Sequence, residues 1–81
     1  MRLDKFLNAT NITKRRKIAQ DMCDSSVVLV NDKVAKSAKE IKVGDIITIN
    51  FLESQKKYEI LQIPTLKNIP KNLKIEYVKE V

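Results

Sequence analysis

The chain of 81 residues contains no histidine, no tryptophan, one cysteine and one glycine. Without histidine it lacks the commonest general base and metal ligand of enzymes. A single cysteine excludes an internal disulfide and is typical of a protein of the reducing cytoplasm. One glycine is too few for a glycine-rich phosphate-binding loop. These absences predict a small cytoplasmic domain with no catalytic centre, no metal site and no cofactor.

Long apolar runs are also missing. No apolar stretch approaches the ~20 residues that a membrane-spanning helix requires. Residues 1–4 do not resemble the start of a signal peptide. We therefore expect a single domain with no membrane partner.

Basic residues outnumber acidic ones. The chain has 16 Lys and Arg but only 10 Asp and Glu, so its formal net charge is +6. Such a balance favours acidic partners, above all nucleic acid. Ten of the 16 cations precede Ile46. We therefore expect the first half of the chain to form the contact surface and the second half to be the scaffold.

Four consecutive cations, residues 14–17, begin a predicted helix that runs to Asp24, with Thr13 as its N-cap. Its apolar face consists of four residues at helical spacing, Ile18, Ala19, Met22 and Cys23. Cations at a helix N-terminus oppose the dipole at a cost of about 0.3–1 kcal/mol each. The same position binds phosphate well. The run therefore indicates a nucleic-acid backbone as partner, and a solvated basic turn without a partner is the alternative.

A shorter helix is predicted over residues 2–9, with an apolar stripe of Leu3, Phe6 and Leu7. Arg2 and Lys5 lie together on another face of this helix. Asp4 lies between them and is placed to orient Arg2 or a lysine of the second helix. As a first-turn acid it also suits the helix dipole. The connector is short, so we expect the two helices to pack against each other with their basic residues on one side.

Strands are predicted at residues 27–30, 46–51, 57–63 and 75–81. Residues 31–32 and 43–45 predict turns, and Gly44 in the second is expected to have positive φ. From Lys33 to Lys42, lysine recurs at every third position, which predicts an exposed, irregular segment. The predicted fold class is α+β, with two short N-terminal helices packed on a small, mainly antiparallel sheet.

The order of these motifs resembles the S-four (S4) RNA-binding domain, whose motif is also called the alpha-L motif. The matching positions are Met1-Arg2-Leu3-Asp4-Lys5-Phe6-Leu7, Lys14-Arg15-Arg16-x-x-Ala19, Val28-x-Val30-Asn31, Lys36 and Lys42-Val43-Gly44-Asp45-Ile46. The resemblance covers residues 1–51, and it predicts an S-four domain there with a C-terminal β extension of the same domain over residues 52–81. It implies RNA held along the helix pair and the neighbouring loop.

Within the family, the chain is most similar to small, free-standing, ribosome-associated members. That similarity implies a non-enzymatic protein that binds ribosomal RNA of the large subunit, contacts tRNA and serves the quality control of stalled nascent chains. We also expect a monomer. By the same resemblance Arg2 and Arg16 are the main RNA contacts. The predicted set also includes other cations of the two predicted helices and two lysines of the segment 33–42, which we call the lysine segment. The predicted RNA-binding residues are Arg2, Lys5, Lys14, Arg15, Arg16, Lys17, Lys36 and Lys39.

Several residues carry separate predictions. Ser26 and Asp32 stand where the family usually has glycine, so we expect a small cost for positive φ at both. Cys23 has no histidine to activate it and is predicted to be a buried structural thiol. Tyr58 and Tyr77 are predicted to be half-buried sheet residues rather than platforms for RNA bases.

Two other functions stay open at this point. One is an RNA-gripping accessory module of an RNA-modifying enzyme, which requires a partner subunit. The other is a helix-turn-helix DNA binder with residues 13–24 in a major groove, which predicts a preference for duplex DNA and a dimer.

Overall fold

The computed structural model describes residues 1–64 and 76–81. The elements follow in the order α1 (Leu3–Ala9), α2 (Arg16–Asp24), β1 (Val28–Val30), β2 (Lys33–Val34), β3 (Ile46–Asn50), β4 (Gln55–Ile60) and β5 (Val78–Glu80). The predicted α+β class is confirmed. Neither helix of the described part is long and apolar enough to cross a membrane.

All five strands join in one antiparallel sheet with the order β2-β1-β3-β4-β5. At its centre, Ile47 of β3 pairs with Val30 of β1 on one side and with Tyr58 of β4 on the other. The first two predicted strands lie where expected. The third predicted strand, residues 57–63, is β4 at Gln55–Ile60 and so is shifted toward the N-terminus. The fourth prediction, residues 75–81, begins outside the described residues, and β5 occupies Val78–Glu80 within it.

The core lies between the helices and one face of this sheet. The predicted α1 stripe of Leu3, Phe6 and Leu7 is confirmed, since each has 0% exposure. Alternate strand residues complete the core, because alternate side chains share a sheet face; they are Val28, Val30, Ile47, Ile49, Tyr58, Ile60 and Val78. Burying a large aliphatic or aromatic side chain contributes about 1.5–3 kcal/mol. Burial of the α1 stripe therefore fixes which side of this helix faces solvent.

Helix α2 begins two residues later than predicted, and its N-cap is Arg15, not Thr13. Thr13 is buried, its N–H donates to the carbonyl of Leu7 at 3.1 Å, and its hydroxyl donates to the carbonyl of Arg15 at 3.2 Å. These bonds hold the connector against α1, and Arg15 keeps an extended backbone with φ −136° and ψ 146°. Only Arg16 and Lys17 of the four cations therefore lie inside the first turn.

The predicted apolar face of α2 is correct for Ala19 and Cys23, which are buried, and for Met22, which is partly buried. It is wrong for Ile18, whose exposure is 42%. At 100° per residue, Ile18 lies about 120° from the centre of the face that Ala19 and Cys23 define. It therefore lies at the solvent side of the helix.

Positive φ occurs in the described chain at four residues other than glycine, namely Asn11, Ser26, Asn31 and Asp32. The expected positive φ is thus confirmed at Ser26 (61°), Asp32 (68°) and Gly44 (93°). After α2, the N–H of Ser26 donates to the carbonyl of Cys23 at 3.0 Å, and that of Val27 to Met22 at 3.3 Å. This is a Schellman motif, which normally uses glycine at the position that Ser26 occupies.

The lysine segment contains the short strand β2 and is otherwise irregular, as predicted. It is not simply solvated, because Ala35 and Ile41 are buried. The N–H of Leu3 donates to the carbonyl of Lys39 at 2.9 Å, and the N–H of Asp4 donates to that of Ser37 at 3.1 Å. These carbonyls satisfy N–H groups that the first turn of a helix leaves unpaired. The segment is thereby fixed against the start of α1.

Candidate nucleic-acid interface

A buried carboxylate connects the two helices. Asp4 has 0% exposure. Its Oδ2 accepts hydrogen bonds from Nε of Arg16 at 3.2 Å and from Nε2 of Gln20 at 3.0 Å. Its Oδ1 accepts the backbone N–H of Lys5 at 2.8 Å and lies 3.3 Å from Nε of Arg2. Asp4 thus joins the first turn of α1 to the first two turns of α2.

Two opposing effects set the pKa of Asp4. Burial raises the pKa, because the charged form loses hydration. Hydrogen bonds from Gln20, Arg16 and the N–H of Lys5, together with the positive charge of Arg16, outweigh burial, and the pKa of Asp4 is lowered from its ordinary value. The carboxylate is therefore ionised at neutral pH and attracts both arginines.

The arginines are less buried than their anchor. The side chains of Arg2 and Arg16 are 47% and 43% exposed, whereas that of Asp4 is 0% exposed. A guanidinium carries five N–H donors, and Asp4 contacts Arg16 only at Nε. Two cations on one anion leave one net positive charge at this position. Half-exposed guanidinium groups in a fixed position suit a phosphate, which accepts two of their N–H groups at once.

The hypothesis that Asp4 orients Arg2 is confirmed, and Asp4 is also the first-turn acid of α1. The expected lysine partner in the second helix is wrong, since that partner is Arg16. Gln20 had no predicted role. Its position four residues after Arg16 was the available signal, because residues four apart share one helix face.

The neighbouring cations extend the basic surface on either side of Arg16. Lys14 and Arg15 are exposed in the connector, where Nδ2 of Asn8 donates to the carbonyl of Lys14 at 3.3 Å. Lys17 is exposed and forms an ion pair with Asp21, one turn along α2, at 3.7 Å. An exposed pair of this kind contributes little to stability. Lys17 therefore lies beside the Asp4 network without joining it.

The start of α2 keeps free backbone donors. Arg15 forms no side-chain cap, and the N–H groups of Arg16 and Lys17 find no acceptor among residues 1–64 and 76–81. The helix dipole adds partial positive charge at the same place. The predicted anion-binding helix start is therefore built from two cations inside the helix and two just before it.

Lys36 and Lys39, also predicted contacts, are exposed on the segment that is hydrogen-bonded to the start of α1. The carbonyl of Lys39 accepts the N–H of Leu3, the residue after Arg2. Glu40, which follows, pairs with the amino group of Met1 at 2.6 Å. The structure thus places the lysine segment beside the arginine pair, defined here as Arg2 and Arg16.

Other candidate groups have structural roles. Cys23 is buried, as predicted, and burial together with the charges of Asp4 and Asp24 raises its pKa to about 11. Tyr58 lies in β4, as predicted, and is buried rather than half-buried. Tyr77 is partly buried but lies in the turn before β5, so its prediction as a strand residue is wrong. Within the described ranges, no three His, Cys, Asp or Glu residues are grouped to hold a metal ion.

Two helices on an antiparallel sheet, with a buried acid that holds two arginines at the helix surface, define a small RNA-binding domain of the α+β class. Comparison with known proteins identifies the family. The family model of the S4 domain matches residues 1–47, and the chain belongs to this RNA-binding family. The resemblance to the S-four domain that the sequence motifs indicate is confirmed.

Relatives of similar length carry one common name. The chain is 49% identical over 71 residues to the RQC P-site tRNA stabilizing factor of Helicobacter pylori strain J99, covering 88% of this chain and 84% of the relative. It is 35% identical over 71 residues to the protein of the same name in Bacillus subtilis strain 168, covering 88% and 79%.

Two solved structures have the same fold. Heat Shock Protein 15 of Vibrio cholerae, described as trimeric, superposes with a TM-score of 0.90 at 27% identity, covering 100% of this chain and 81% of that one. A solution structure of a hypothetical protein gives a TM-score of 0.87 at 43% identity, covering 100% and 96%.

Proposed function

We propose that this chain is a non-enzymatic factor that binds ribosomal RNA of the large subunit and contacts the P-site tRNA during quality control of stalled nascent chains. The observation that carries the proposal is the arginine pair, held by a buried carboxylate at 3.2 and 3.3 Å. Relatives up to 49% identical, named RQC P-site tRNA stabilizing factor, support the same role.

The proposed mechanism starts from preorganisation. Arg2 and Arg16 are fixed by Asp4 before RNA arrives, so binding costs less side-chain entropy than it does for freely rotating cations. Each guanidinium keeps N–H groups for phosphate oxygens. Because the chain has only two Phe, two Tyr and no Trp, recognition relies on the RNA backbone and its shape rather than on base stacking.

We assign the remaining contacts by exposure and position. All members of the predicted set fall within residues 1–47, the part that matches the S4 domain; they are Arg2, Lys5, Lys14, Arg15, Arg16, Lys17, Lys36 and Lys39. We also propose that residues 52–81 extend the same domain as a scaffold, since β4 continues the sheet from β3. The proposed state is a monomer in the cytoplasm.

The proposal is tested by co-sedimentation of the purified protein with large ribosomal subunits at low ionic strength. We expect Arg16→Ala to weaken association by about tenfold or more, because a hydrogen bond to a charged group contributes about 1.5–3 kcal/mol. The control is Lys56→Ala, which removes the same charge from an exposed position in β4. Circular dichroism verifies that both variants fold.

Two outcomes would contradict the proposal. The wild-type protein could bind subunits no better than an equally basic control protein, or Arg16→Ala could bind as well as Lys56→Ala. A competition between structured RNA and duplex DNA distinguishes a helix-turn-helix DNA binder, which would prefer the duplex. Co-purification with a catalytic subunit would instead favour the accessory module of an RNA-modifying enzyme.

A further inference from the structure

A surface groove lies along the lysine segment. The core residues Val30 and Ala35 line it, whereas neither arginine of the pair does. It measures about 600 Å³, within the ~300–1,000 Å³ of typical ligand sites. Six of the residues that line it belong to the segment itself, namely Lys33, Val34, Ala35, Lys36, Ala38 and Lys39. We call it the lysine groove.

The lysine groove combines an apolar surface with positive charge. Val34 is 60% exposed although it is a β-branched residue of a strand, and Ala38 is exposed beside it. None of the described residues that line the groove is acidic. No ion pair within the described part of the chain engages its three lysines. Their ammonium groups therefore remain available for an anion.

A second depression helps to identify the ligand. It measures about 500 Å³ and shares residues 34–36 and Ala38 with the lysine groove. It is also lined by Asp24 and Ser26 at the end of α2. The carboxylate of Asp24 repels phosphate, so of the two depressions the lysine groove is the one suited to a ligand that is both apolar and anionic.

We propose that the lysine groove receives one unpaired nucleotide of the bound RNA, with its base against Val34 and Ala38 and its phosphates beside Lys33, Lys36 and Lys39. A nucleotide has an apolar base face and an anionic phosphate group. Proteins bind the bases of RNA mainly where these are splayed out of the helix. The inference rests on the proposed function. It adds that the chain distinguishes RNA with an extruded base from a continuous helix.

The position of the groove supports RNA as the occupant rather than an acidic peptide. Backbone hydrogen bonds from Leu3 to Lys39 and from Asp4 to Ser37 fix the segment to the start of α1, next to Arg2. An RNA strand held at the arginine pair therefore lies next to the groove.

The test compares two short RNA hairpins that differ only in a single bulged adenosine, using fluorescence anisotropy to measure Kd. We expect the wild-type protein to bind the bulged hairpin about fivefold more tightly, which corresponds to partial burial of one apolar contact. Val34→Glu should abolish this preference. The matched control is Val43→Glu, which makes the same charge change at a residue that is 58% exposed and outside the groove.

The outcomes separate the inference from the proposed function. Equal affinity of the wild-type protein for both hairpins overturns the groove assignment while RNA binding itself stands. Equal behaviour of Val34→Glu and Val43→Glu overturns it as well, since the effect would then be one of net charge. Failure of the wild-type protein to bind large ribosomal subunits would contradict the proposed function. Binding to subunits but to neither hairpin overturns the groove assignment alone.

Discussion

Nε of Arg16 lies 3.2 Å from Oδ2 of Asp4, and this contact joins residues twelve positions apart. The carboxylate is inaccessible to solvent, whereas the arginine side chain is 43% exposed. The anchor is therefore inside the protein and the anchored charge is at the surface. This relationship explains why a helix can begin with cations although its dipole opposes them.

Removal of the Asp4 charge should change stability in a pH-dependent way. The folded pKa of Asp4 is lowered, so the ionised group stabilises the fold above its unfolded pKa of about 3.9. That stabilisation is lost as pH falls through the folded pKa. We expect Asp4→Asn to lower the unfolding free energy at neutral pH by about 1–3 kcal/mol. Below about pH 4, the unfolding free energy of this variant should fall less with pH than that of the wild-type protein. Urea denaturation across this pH range measures both effects.

The control for Asp4 is Asp21→Asn, because Asp21 is 62% exposed and contacts only Lys17, at 3.7 Å, among the ion pairs described. Its profile should stay close to that of the wild-type protein, since exposed pairs contribute about 0–1 kcal/mol. If the unfolding free energy of the wild-type protein and of Asp4→Asn falls equally below about pH 4, the buried carboxylate does not provide the acid sensitivity.

Ser26→Gly should stabilise the protein. Ser26 has φ 61°, a conformation that costs an L-residue roughly 1–2 kcal/mol and glycine very little. After allowance for the greater chain entropy of glycine when unfolded, we expect a gain of about 0.5–1 kcal/mol by thermal or urea unfolding. Ser25→Gly is the matched control, since its φ of −83° gives glycine no advantage. A loss of stability in both variants would disprove the explanation.

Affinity for ribosomal RNA should fall steeply with salt. Neutralisation of about five phosphates predicts a slope near −4 for the logarithm of the association constant against the logarithm of salt concentration. Arg16→Ala should reduce the magnitude of this slope by about one, whereas Lys56→Ala should not change it. Filter binding at several salt concentrations measures the slope. An affinity that is insensitive to salt would exclude phosphate contacts as the main source of binding.

Cys23 should react slowly in the folded protein. Its pKa is raised to about 11, so near pH 8 only about one thiol in a thousand is the reactive thiolate. We expect iodoacetamide to modify the native protein about a hundredfold more slowly than the protein unfolded in urea, and the native rate to rise with pH. Mass spectrometry follows the adduct. Comparable rates in the two states would mean that the helix face carrying Cys23 is open to solvent.

Local sequence pattern was sufficient to predict the elements whose structure depends on a few neighbouring residues. Leu3, Phe6 and Leu7 predicted the buried side of α1 because helical spacing brings them together. Asn31 and Asp32 predicted a tight turn, and both have positive φ. In these cases the information lies within a few residues, so tertiary contacts did not need to be known.

Helical spacing was insufficient where a contact outside the helix decided the outcome. The start of α2 moved from the predicted Thr13 cap to Arg15, because Thr13 is held by the carbonyls of Leu7 and Arg15. Ile18 is apolar but lies beyond the edge of the buried face, which helical spacing shows only once Ala19 and Cys23 are known to define the centre of that face. Spacing within one helix does not say which of its residues the rest of the protein covers.

Composition and short-range spacing are sufficient to predict the α+β class, the apolar stripe of α1 and the concentration of positive charge before Ile46. The packed structure was needed to show that Asp4 is buried, that Arg2 and Arg16 share it with Gln20, and that the lysine segment lies against α1. Each of these depends on contacts between residues far apart in the chain. Such contacts form only when burial of the core brings the helices and the sheet together.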